Sequence, residues 1–127
     1  MTKTLLTRLY DTWNTHDVDG ILSFFHDDLV YTDKAMLAVF RGKKELGDFV
    51  EASFVSIPDL RFKLFNTIDT PDAVASEALM LGTFLGDVGP VTATGREFTV
   101  NYSINGTVRD GKIATLTDYW NFSEFIA

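Results

Sequence analysis

The sequence predicts a single α+β domain in which N-terminal helices pack into a curved β-sheet. Apolar residues recur at helical spacing in the first part of the chain. After Pro58 the sequence consists of β-branched and aromatic runs separated by Gly, Pro and Asp turns. Helices followed by successive strands are typical of α+β domains. With 127 residues, the chain is expected to form one domain over residues 1–127.

Three helices are predicted before Pro58. Apolar side chains at helical spacing predict the first over residues 4–14. Asp17 is a suitable N-cap for a second helix over residues 18–25. Residues 40–42 are predicted to form a turn, and residues 42–55 a third helix. These helices can cover only one face of the sheet that follows.

Five strands are predicted, over residues 29–33, 60–67, 73–84, 97–108 and 113–122. The one long loop covers residues 86–95 and contains Pro90. A sheet that curls around its helices leaves a conical cavity. Small-molecule sites favour such concave and mostly apolar places.

Composition limits the function classes. The chain has a hydrophobic fraction of 46%, 11 Phe residues and no Cys, so thiolate catalysis and thiolate metal sites are excluded. Its net charge of −7 disfavours nucleic-acid binding. No membrane-spanning segment or signal peptide is recognisable, and a cytoplasmic protein without a cofactor or metal is expected.

Asp118 is the most informative residue. Alternation along the last strand places Leu116, Asp118 and Trp120 on one face. A carboxylate between Leu and Trp must be hydrogen-bonded, protonated or facing a cavity. A carboxyl group perturbed in an apolar cleft is a common sign of acid–base chemistry. A buried structural Asp that holds a neighbouring N–H group is the alternative.

Several segments together resemble the NTF2-like superfamily, and within it the SnoaL-like proteins, with ketosteroid isomerases and limonene-epoxide hydrolases as more distant relatives. The segments are Trp13-Asn14-Thr15-His16-Asp17-Val18-Asp19-Gly20, residues 24–33, Phe40-Arg41-Gly42, Gly111-Lys112-Ile113 and Asp118-Tyr119-Trp120. The resemblance covers nearly the whole chain and implies the NTF2-like cone. It does not imply one reaction, because one fold supports many functions.

The resemblance implies roles for two carboxylates. Asp33 falls where ketosteroid isomerases keep a proton-shuttling carboxylate, and Asp118 where SnoaL-like cyclases carry their acid–base Asp. Other isomerase positions differ, since the tyrosine donor would fall near Leu9, next to Tyr10, and the second Asp near residues 103–104. The Arg and Asp of the epoxide hydrolase triad would fall near residues 77 and 79, which are Glu and Leu.

Further candidates would line the cavity. Trp13, Tyr31 and Trp120 are predicted to form its walls, although aromatic residues at such spacing are also typical of an ordinary core. Asn101 and Ser103 are ligand-binding candidates if their strand face points inward; the opposite face, with Val100, Tyr102 and Ile104, is equally compatible with the interior. His16 and His26 show no metal-ligand spacing.

The predicted function is binding of a small hydrophobic or polyketide-like molecule. If the chain is an enzyme, the expected chemistry is cofactor-free acid–base isomerisation or cyclisation by Asp118 and Asp33. A non-catalytic ligand-binding or dimerisation domain and an epoxide hydrolase-like enzyme are the alternatives. A homodimer is expected, because Val100, Tyr102 and Ile104 or Tyr119 would otherwise be exposed on the uncovered sheet face.

Overall fold

Four helices and six strands form within residues 3–127, the part of the chain described by this computed structural model. The helices are α1 (Leu5–Asn14), α2 (Val18–Leu22), α3 (Gly42–Ser56) and α4 (Phe122–Phe125). The strands are β1 (Phe25–Asp33), β2 (Ala38–Arg41), β3 (Arg61–Asp69), β4 (Ala73–Thr83), β5 (Glu97–Arg109) and β6 (Lys112–Trp120). The predicted α+β class is confirmed.

The six strands form one mixed sheet in the order β2-β1-β6-β5-β4-β3. β1 runs parallel to β6, and the other neighbouring pairs are antiparallel. The parallel pair brings the first strand of the sheet beside the last one. Residues far apart in the sequence therefore meet at the centre of the sheet.

α1 forms because its apolar side chains follow the helical period and its first turn is capped. The Thr4 hydroxyl accepts a hydrogen bond from the Thr7 N–H group. The Asn14 side chain then fixes the end of the helix to β3, because its amide nitrogen donates to the Phe62 carbonyl at 2.9 Å and its oxygen accepts from the Phe62 N–H group at 2.8 Å. The buried face of α1 consists of Leu5, Leu6, Leu9, Tyr10 and Trp13.

α2 and α3 cover the same sheet face as α1. Asp17 caps α2 through the Gly20 N–H group, as predicted, but the helix ends at Leu22 and Phe25 begins β1. α3 buries Leu46 and Val50 completely. In the described residues 3–127, no helix is long and apolar enough to cross a membrane.

Two elements differ from the sequence prediction. The segment predicted as a turn at residues 40–42 instead holds the last two residues of β2, a four-residue edge strand that pairs with β1, and the first residue of α3. α4, which follows β6, was not predicted. Phe125 of α4 is buried against Phe84 and Phe98, with ring centroids 4.5 and 4.8 Å apart, so α4 closes one end of the sheet.

The face assignment of β5 was left open by the sequence, and the structure resolves it. Val100, Tyr102 and Ile104 are buried toward the helices, with exposed fractions of 1%, 4% and 1%. The prediction that they would be exposed on an uncovered sheet face is therefore wrong. Asn101 and Ser103 occupy the opposite face, because successive side chains of a strand alternate.

Candidate active site

Two aspartates meet on the inner face of the sheet. Asp33 ends β1 and Asp118 lies near the end of β6, and the parallel pairing places them directly opposite each other. Both side chains are buried, with exposed fractions of 3% and 1%. The structure therefore brings the two predicted carboxylates together on one face.

The Asp118 carboxylate has one occupied and one free oxygen. The hydroxyl groups of Tyr31 and Tyr102 both donate to Oδ2, the latter at 2.8 Å. The two hydroxyl oxygens lie 3.1 Å apart. Oδ1 is buried and has no hydrogen-bond partner among the described residues 3–127. A proton on this carboxyl group would therefore reside on Oδ1, because Oδ2 already accepts two hydrogen bonds.

Burial and charge repulsion change the acidity of Asp118. Desolvation, followed by the nearby Asp33 carboxylate, raises the pKa of the Asp118 carboxyl to about 8. The hydrogen bonds from Tyr31 and Tyr102 act in the opposite direction, but they do not outweigh burial. Asp118 is consequently protonated at neutral pH.

Asp33 is in a less extreme environment. Burial raises the pKa of the Asp33 carboxyl, while its hydrogen bond from the Met36 N–H group, with 2.9 Å between nitrogen and Oδ1, lowers it. Two interacting carboxyls titrate as a pair, and Asp33 is the member that is better stabilised as an anion. When the pair holds a single proton, that proton therefore resides on Asp118 and the negative charge on Asp33. A pair of carboxyls with separated pKa values can supply both an acid and a base.

A cavity of about 70 Å³ lies above this pair. One water molecule needs roughly 10–15 Å³ of such space, so the cavity has room for several water-sized groups. All five predicted residues Trp13, Tyr31, Asp33, Asp118 and Trp120 border it. The rest of the wall is Met36, Phe49, Ser53, Ser56, Ile57, Leu60, Phe62, Met80, Val88, Tyr102 and Phe125. A mostly apolar wall with few convergent polar groups is typical of a small-molecule site.

Five half-buried wall residues mark the mouth of the cavity: Met36, Phe49, Ser53, Val88 and Trp120. They come from the β1–β2 turn, α3, the long loop after β4 and the end of β6. Asp118 and Tyr102, in contrast, are almost completely buried. A ligand that enters from the mouth therefore reaches the carboxyl pair at the inner end.

Asn101 and Ser103 do not border this cavity. Both are exposed on the outer face of the sheet, where they line a shallow depression together with Phe65, Glu77 and Tyr119. Their prediction as ligand-binding residues of the cavity is wrong. The reason is that side chains alternate between the two faces of β5. The face that carries Tyr102 and the apolar residues points toward the helices.

The two histidines have structural contacts. His16 Nε2 lies 2.7 Å from the Leu60 carbonyl oxygen, and its imidazole stacks on Phe54 with ring centroids 4.0 Å apart. His26 Nε2 hydrogen-bonds with the Arg109 carbonyl oxygen. Neither histidine borders the cavity. Within residues 3–127, no three acidic or histidine side chains are grouped closely enough to hold a metal ion.

One tyrosine of the site, Tyr102, was missed as a functional candidate. The sequence places Tyr102 only among the apolar residues on one face of β5, although its hydroxyl donates a hydrogen bond to Asp118. Tyr10 lies behind Tyr102, with ring centroids 6.3 Å apart, and its buried hydroxyl has no hydrogen-bond partner among residues 3–127. The available signal was that a buried Tyr hydroxyl needs a polar partner, and Asp118 is a polar group on the same inner face.

Replacing Tyr31 or Tyr102 with Phe is expected to raise the pKa of Asp118 further. Each phenol hydrogen bond stabilises the ionised carboxylate and lowers the pKa. Each replacement should also lower the free energy of unfolding by about 0.5–1.5 kcal/mol. Carbon-detected NMR titration of the Asp118 carboxyl measures the effect, with Tyr119→Phe on the outer face as the control. An unchanged or lower pKa of Asp118 in the Tyr31→Phe or Tyr102→Phe variant would contradict this account.

The comparisons with known proteins agree with the fold. The sequence profile of the SnoaL-like polyketide cyclase family matches residues 3–127, so the chain belongs to this family. Among curated proteins, no sequence matches the chain.

Three solved structures illustrate the similarity. A protein with a ketosteroid isomerase-like fold from Catenulispora acidiphila, in complex with trimethylamine, has 19% identity and a TM-score of 0.84, covering 98% of this chain and 90% of its own. A provisionally assigned polyketide cyclase from Xanthomonas campestris has 25% identity and a TM-score of 0.80, with coverages of 96% and 91%. TerC, co-crystallised with polyporic acid, has 18% identity and a TM-score of 0.78, with coverages of 95% and 92%. The first and third, below 25% identity, support the fold alone.

Proposed function

We propose that this protein is a cofactor-independent acid–base enzyme that isomerises or cyclises a small hydrophobic carbonyl compound. One observation carries the proposal: Asp33 and Asp118 border the same apolar cavity at neighbouring positions of parallel strands. Their different environments favour Asp118 as the acid and Asp33 as the base of the pair. The polyketide-like substrate class is supported by the family and by the apolar cavity wall.

The chemistry begins with proton abstraction next to the carbonyl group. The Asp33 carboxylate takes the proton from the carbon, and the protonated Asp118 donates its proton from Oδ1 to the carbonyl oxygen. The products of this step are an enol, protonated Asp33 and ionised Asp118. If the enol is conjugated with a second C=C bond, Asp33 returns its proton to the far carbon of that bond and Asp118 regains its proton from the enol oxygen, which completes an isomerisation. In a cyclisation, the enol carbon attacks a second carbonyl of the same molecule. The new carbon–carbon bond forms as the π bond of that carbonyl breaks, its oxygen takes the proton from Asp33, and the enol O–H proton returns to Asp118.

Tyr31 and Tyr102 position Asp118 for this step. Burial raises the pKa values of both phenols well above the ordinary value of 10.0, so both remain donors. Their two hydrogen bonds hold Oδ2, so that a proton on Asp118 is carried by Oδ1. The same two bonds stabilise the carboxylate that forms after proton donation.

The epoxide hydrolase-like alternative has less support. The resemblance places the Arg of the epoxide hydrolase triad near position 77. This chain has Glu77 there, and Glu77 is exposed on the outer sheet face. It is separated from the cavity by the sheet. A non-catalytic ligand-binding domain remains the competing proposal, and catalysis itself distinguishes the two.

Exchange of carbon-bound hydrogen tests catalysis without knowledge of the natural substrate. Acetophenone is incubated with the protein in deuterated buffer, and loss of its methyl proton signal is followed by NMR. The wild type should accelerate exchange over buffer, while the double variant Asp33→Asn/Asp118→Asn should not. Folded wild type that binds acetophenone without accelerating exchange would favour the non-catalytic binding domain.

We also propose a homodimer formed through the outer face of the sheet. Register places Phe65, Glu77, Ser103 and Tyr119 in one row across β3 to β6. Phe65 and Tyr119 are 41% and 44% exposed, which leaves aromatic surface that a second copy could cover. Tyr119 of this row is one of the residues from which the sequence predicts a dimer, whereas the other three, Val100, Tyr102 and Ile104, are buried.

Light scattering tests the proposed dimer. The wild type should have about twice the chain mass of 14.2 kDa at micromolar concentration. Tyr119→Lys should reduce this to the mass of one chain, because it places a charge in the apolar contact. Lys43→Glu, on α3 away from the outer face, is the matched control and should remain dimeric. A monomeric wild type would reject the proposal.

A further inference from the structure

The turn between β1 and β2 contacts the proposed base of the carboxyl pair. Asp33, the last residue of β1, pairs with Ala38, the first residue of β2, so residues 34–37 form the turn. The Met36 N–H group of this turn donates to Asp33 Oδ1, with 2.9 Å between nitrogen and oxygen. The same residue, Met36, borders the cavity. The turn therefore joins the base to the mouth of the site.

Leu37, the last residue of this turn, has an unusual backbone conformation for its residue type. Its φ of 54° lies in the left-handed region, where a leucine is uncommon because its Cβ atom crowds the following carbonyl oxygen. Its side chain is 88% exposed, so burial does not offset this strain. Backbone strain of this kind is concentrated at functional sites. Strand pairing fixes both ends of the turn, and the left-handed Leu37 lets the chain return to β2 with the Met36 N–H group against Asp33.

We propose that Leu37 is a positioning residue for the base: its left-handed backbone keeps the Met36 N–H group against Asp33 Oδ1, and this contact orients the Asp33 carboxylate and favours its charged form. A hydrogen bond to an ionised carboxylate is roughly twice as strong as one between neutral groups. Leu37 itself does not border the cavity, so it acts on Asp33 through the backbone. The inference rests on the proposed function in one respect, namely that Asp33 is the base.

The direction of the effect on Asp33 follows from its surroundings. Burial raises the pKa of the Asp33 carboxyl, and the hydrogen bond from Met36 is the largest influence that lowers it, followed by Asp118, Trp120 and the Ala35 N–H group. A turn that no longer presents the Met36 N–H group should therefore raise the pKa of Asp33. Such a carboxyl would still be protonated at pH values at which the wild-type base is already ionised.

One other ionisable group titrates beside Asp33. Asp118 of β6 lies opposite Asp33 in the sheet, and the phenols of Tyr10, Tyr31 and Tyr102 surround Asp118. Burial raises the pKa values of these three phenols above their ordinary value, so they stay neutral between pH 3 and 9. α3 lines the cavity with Phe and Ser side chains and adds no ionisable group there. Both carboxyls must therefore be followed in the same titration.

Leu37→Pro and Leu37→Gly separate the backbone conformation of Leu37 from its side chain. Proline is locked at a φ of about −65° and cannot complete the turn, whereas glycine adopts positive φ readily. Carbon-detected NMR titration measures the pKa values of Asp33 and Asp118, and hydrogen–deuterium exchange of the Met36 amide reports its hydrogen bond. In Leu37→Pro the pKa of Asp33 should rise and the Met36 amide should exchange roughly 10-fold faster, the value of one charge-assisted hydrogen bond. Leu37→Gly should keep both close to wild type.

A second variant removes the N–H group directly and serves if Leu37→Pro does not fold. The α-hydroxy acid analogue of methionine at position 36 replaces the amide by an ester and keeps the Met36 side chain. The pKa of Asp33 should rise in this protein too. An unchanged pKa of Asp33 in the ester protein or in folded Leu37→Pro overturns the proposal. An equal rise in Leu37→Gly also overturns it, because the effect would then come from the lost side chain.

The outcomes separate this inference from the proposed function. In an active enzyme, the rise of the acetophenone exchange rate with pH should move to higher pH in Leu37→Pro, because Asp33 must be ionised to act as the base. An active Leu37→Pro variant with an unmoved pH profile overturns the role of Leu37. A wild type that does not accelerate exchange rejects the acid–base enzyme, whereas a raised pKa of Asp33 in Leu37→Pro and not in Leu37→Gly still establishes that Leu37 positions this carboxyl.

Discussion

Asp118→Asn is expected to lower the rate of acetophenone proton exchange about 10²–10⁴-fold, the usual contribution of general acid–base catalysis. The side chain oxygen of Asn can still accept the hydrogen bonds of Tyr31 and Tyr102, but its amide cannot transfer a proton. Since Asp118 is neutral at pH 7, the replacement also preserves the charge of the site. In the unfolded chain, however, Asp118 is ionised at this pH and Asn is not, so the variant should be more stable than the wild type at pH 7.

The exchange rate and the unfolding free energy must be measured on the same preparations. Asp48→Asn, an exposed carboxylate on α3, is the control and should leave both unchanged. A variant at position 118 that is destabilised by several kcal/mol but retains full exchange activity would show that Asp118 is a structural residue.

The stability of the protein should decrease from pH 4 to pH 8 because of Asp118. In the unfolded chain this carboxyl titrates near its ordinary value of 3.8, whereas in the folded protein its pKa is about 8. Between these values the folded protein retains a proton that the unfolded chain has lost, so rising pH favours unfolding. The contribution is fully present below pH 4, decreases by about 1.4 kcal/mol per pH unit in between, and is absent above pH 8.

Denaturant unfolding of the wild type and Asp118→Asn at pH 5, 6, 7, 8 and 9 isolates this effect, because the variant cannot titrate at position 118. The difference in unfolding free energy, wild type minus variant, should fall steadily up to pH 8 and then level off. A difference that is constant, or that increases with pH, would mean that Asp118 is ionised in the folded protein at neutral pH.

The helices could be predicted because their signals are local. α1 has a capping Thr4 and an apolar stripe, and α2 has Asp17 at its N-cap. β2 could not be predicted in the same way, since a four-residue edge strand depends on the partner it pairs with. α4 is equally short, and it depends on burial of Phe125 between strands that are distant in the sequence.

The site could be predicted only in part, because some of its contacts also join segments that are distant in the sequence. Asp118 could be singled out from its Leu and Trp neighbours on one strand. Its contact with Asp33 requires the parallel pairing of β1 with β6, which is a property of strand order. The inward direction of Tyr102 requires a choice between two faces of β5, and alternation alone identifies the faces without saying which one is buried.

The parallel pairing of β1 with β6 also makes the candidate site a late product of folding. The hydrogen bond between Tyr31 and Asp118 connects residues 87 positions apart in the sequence. Contacts of such long range are associated with slow folding, because the chain loses entropy before they form. A partly folded chain that has ordered α1 to β4 has neither the carboxyl pair nor the last wall of the cavity. During synthesis, the acid and the base can meet only after the final strand has emerged and docked.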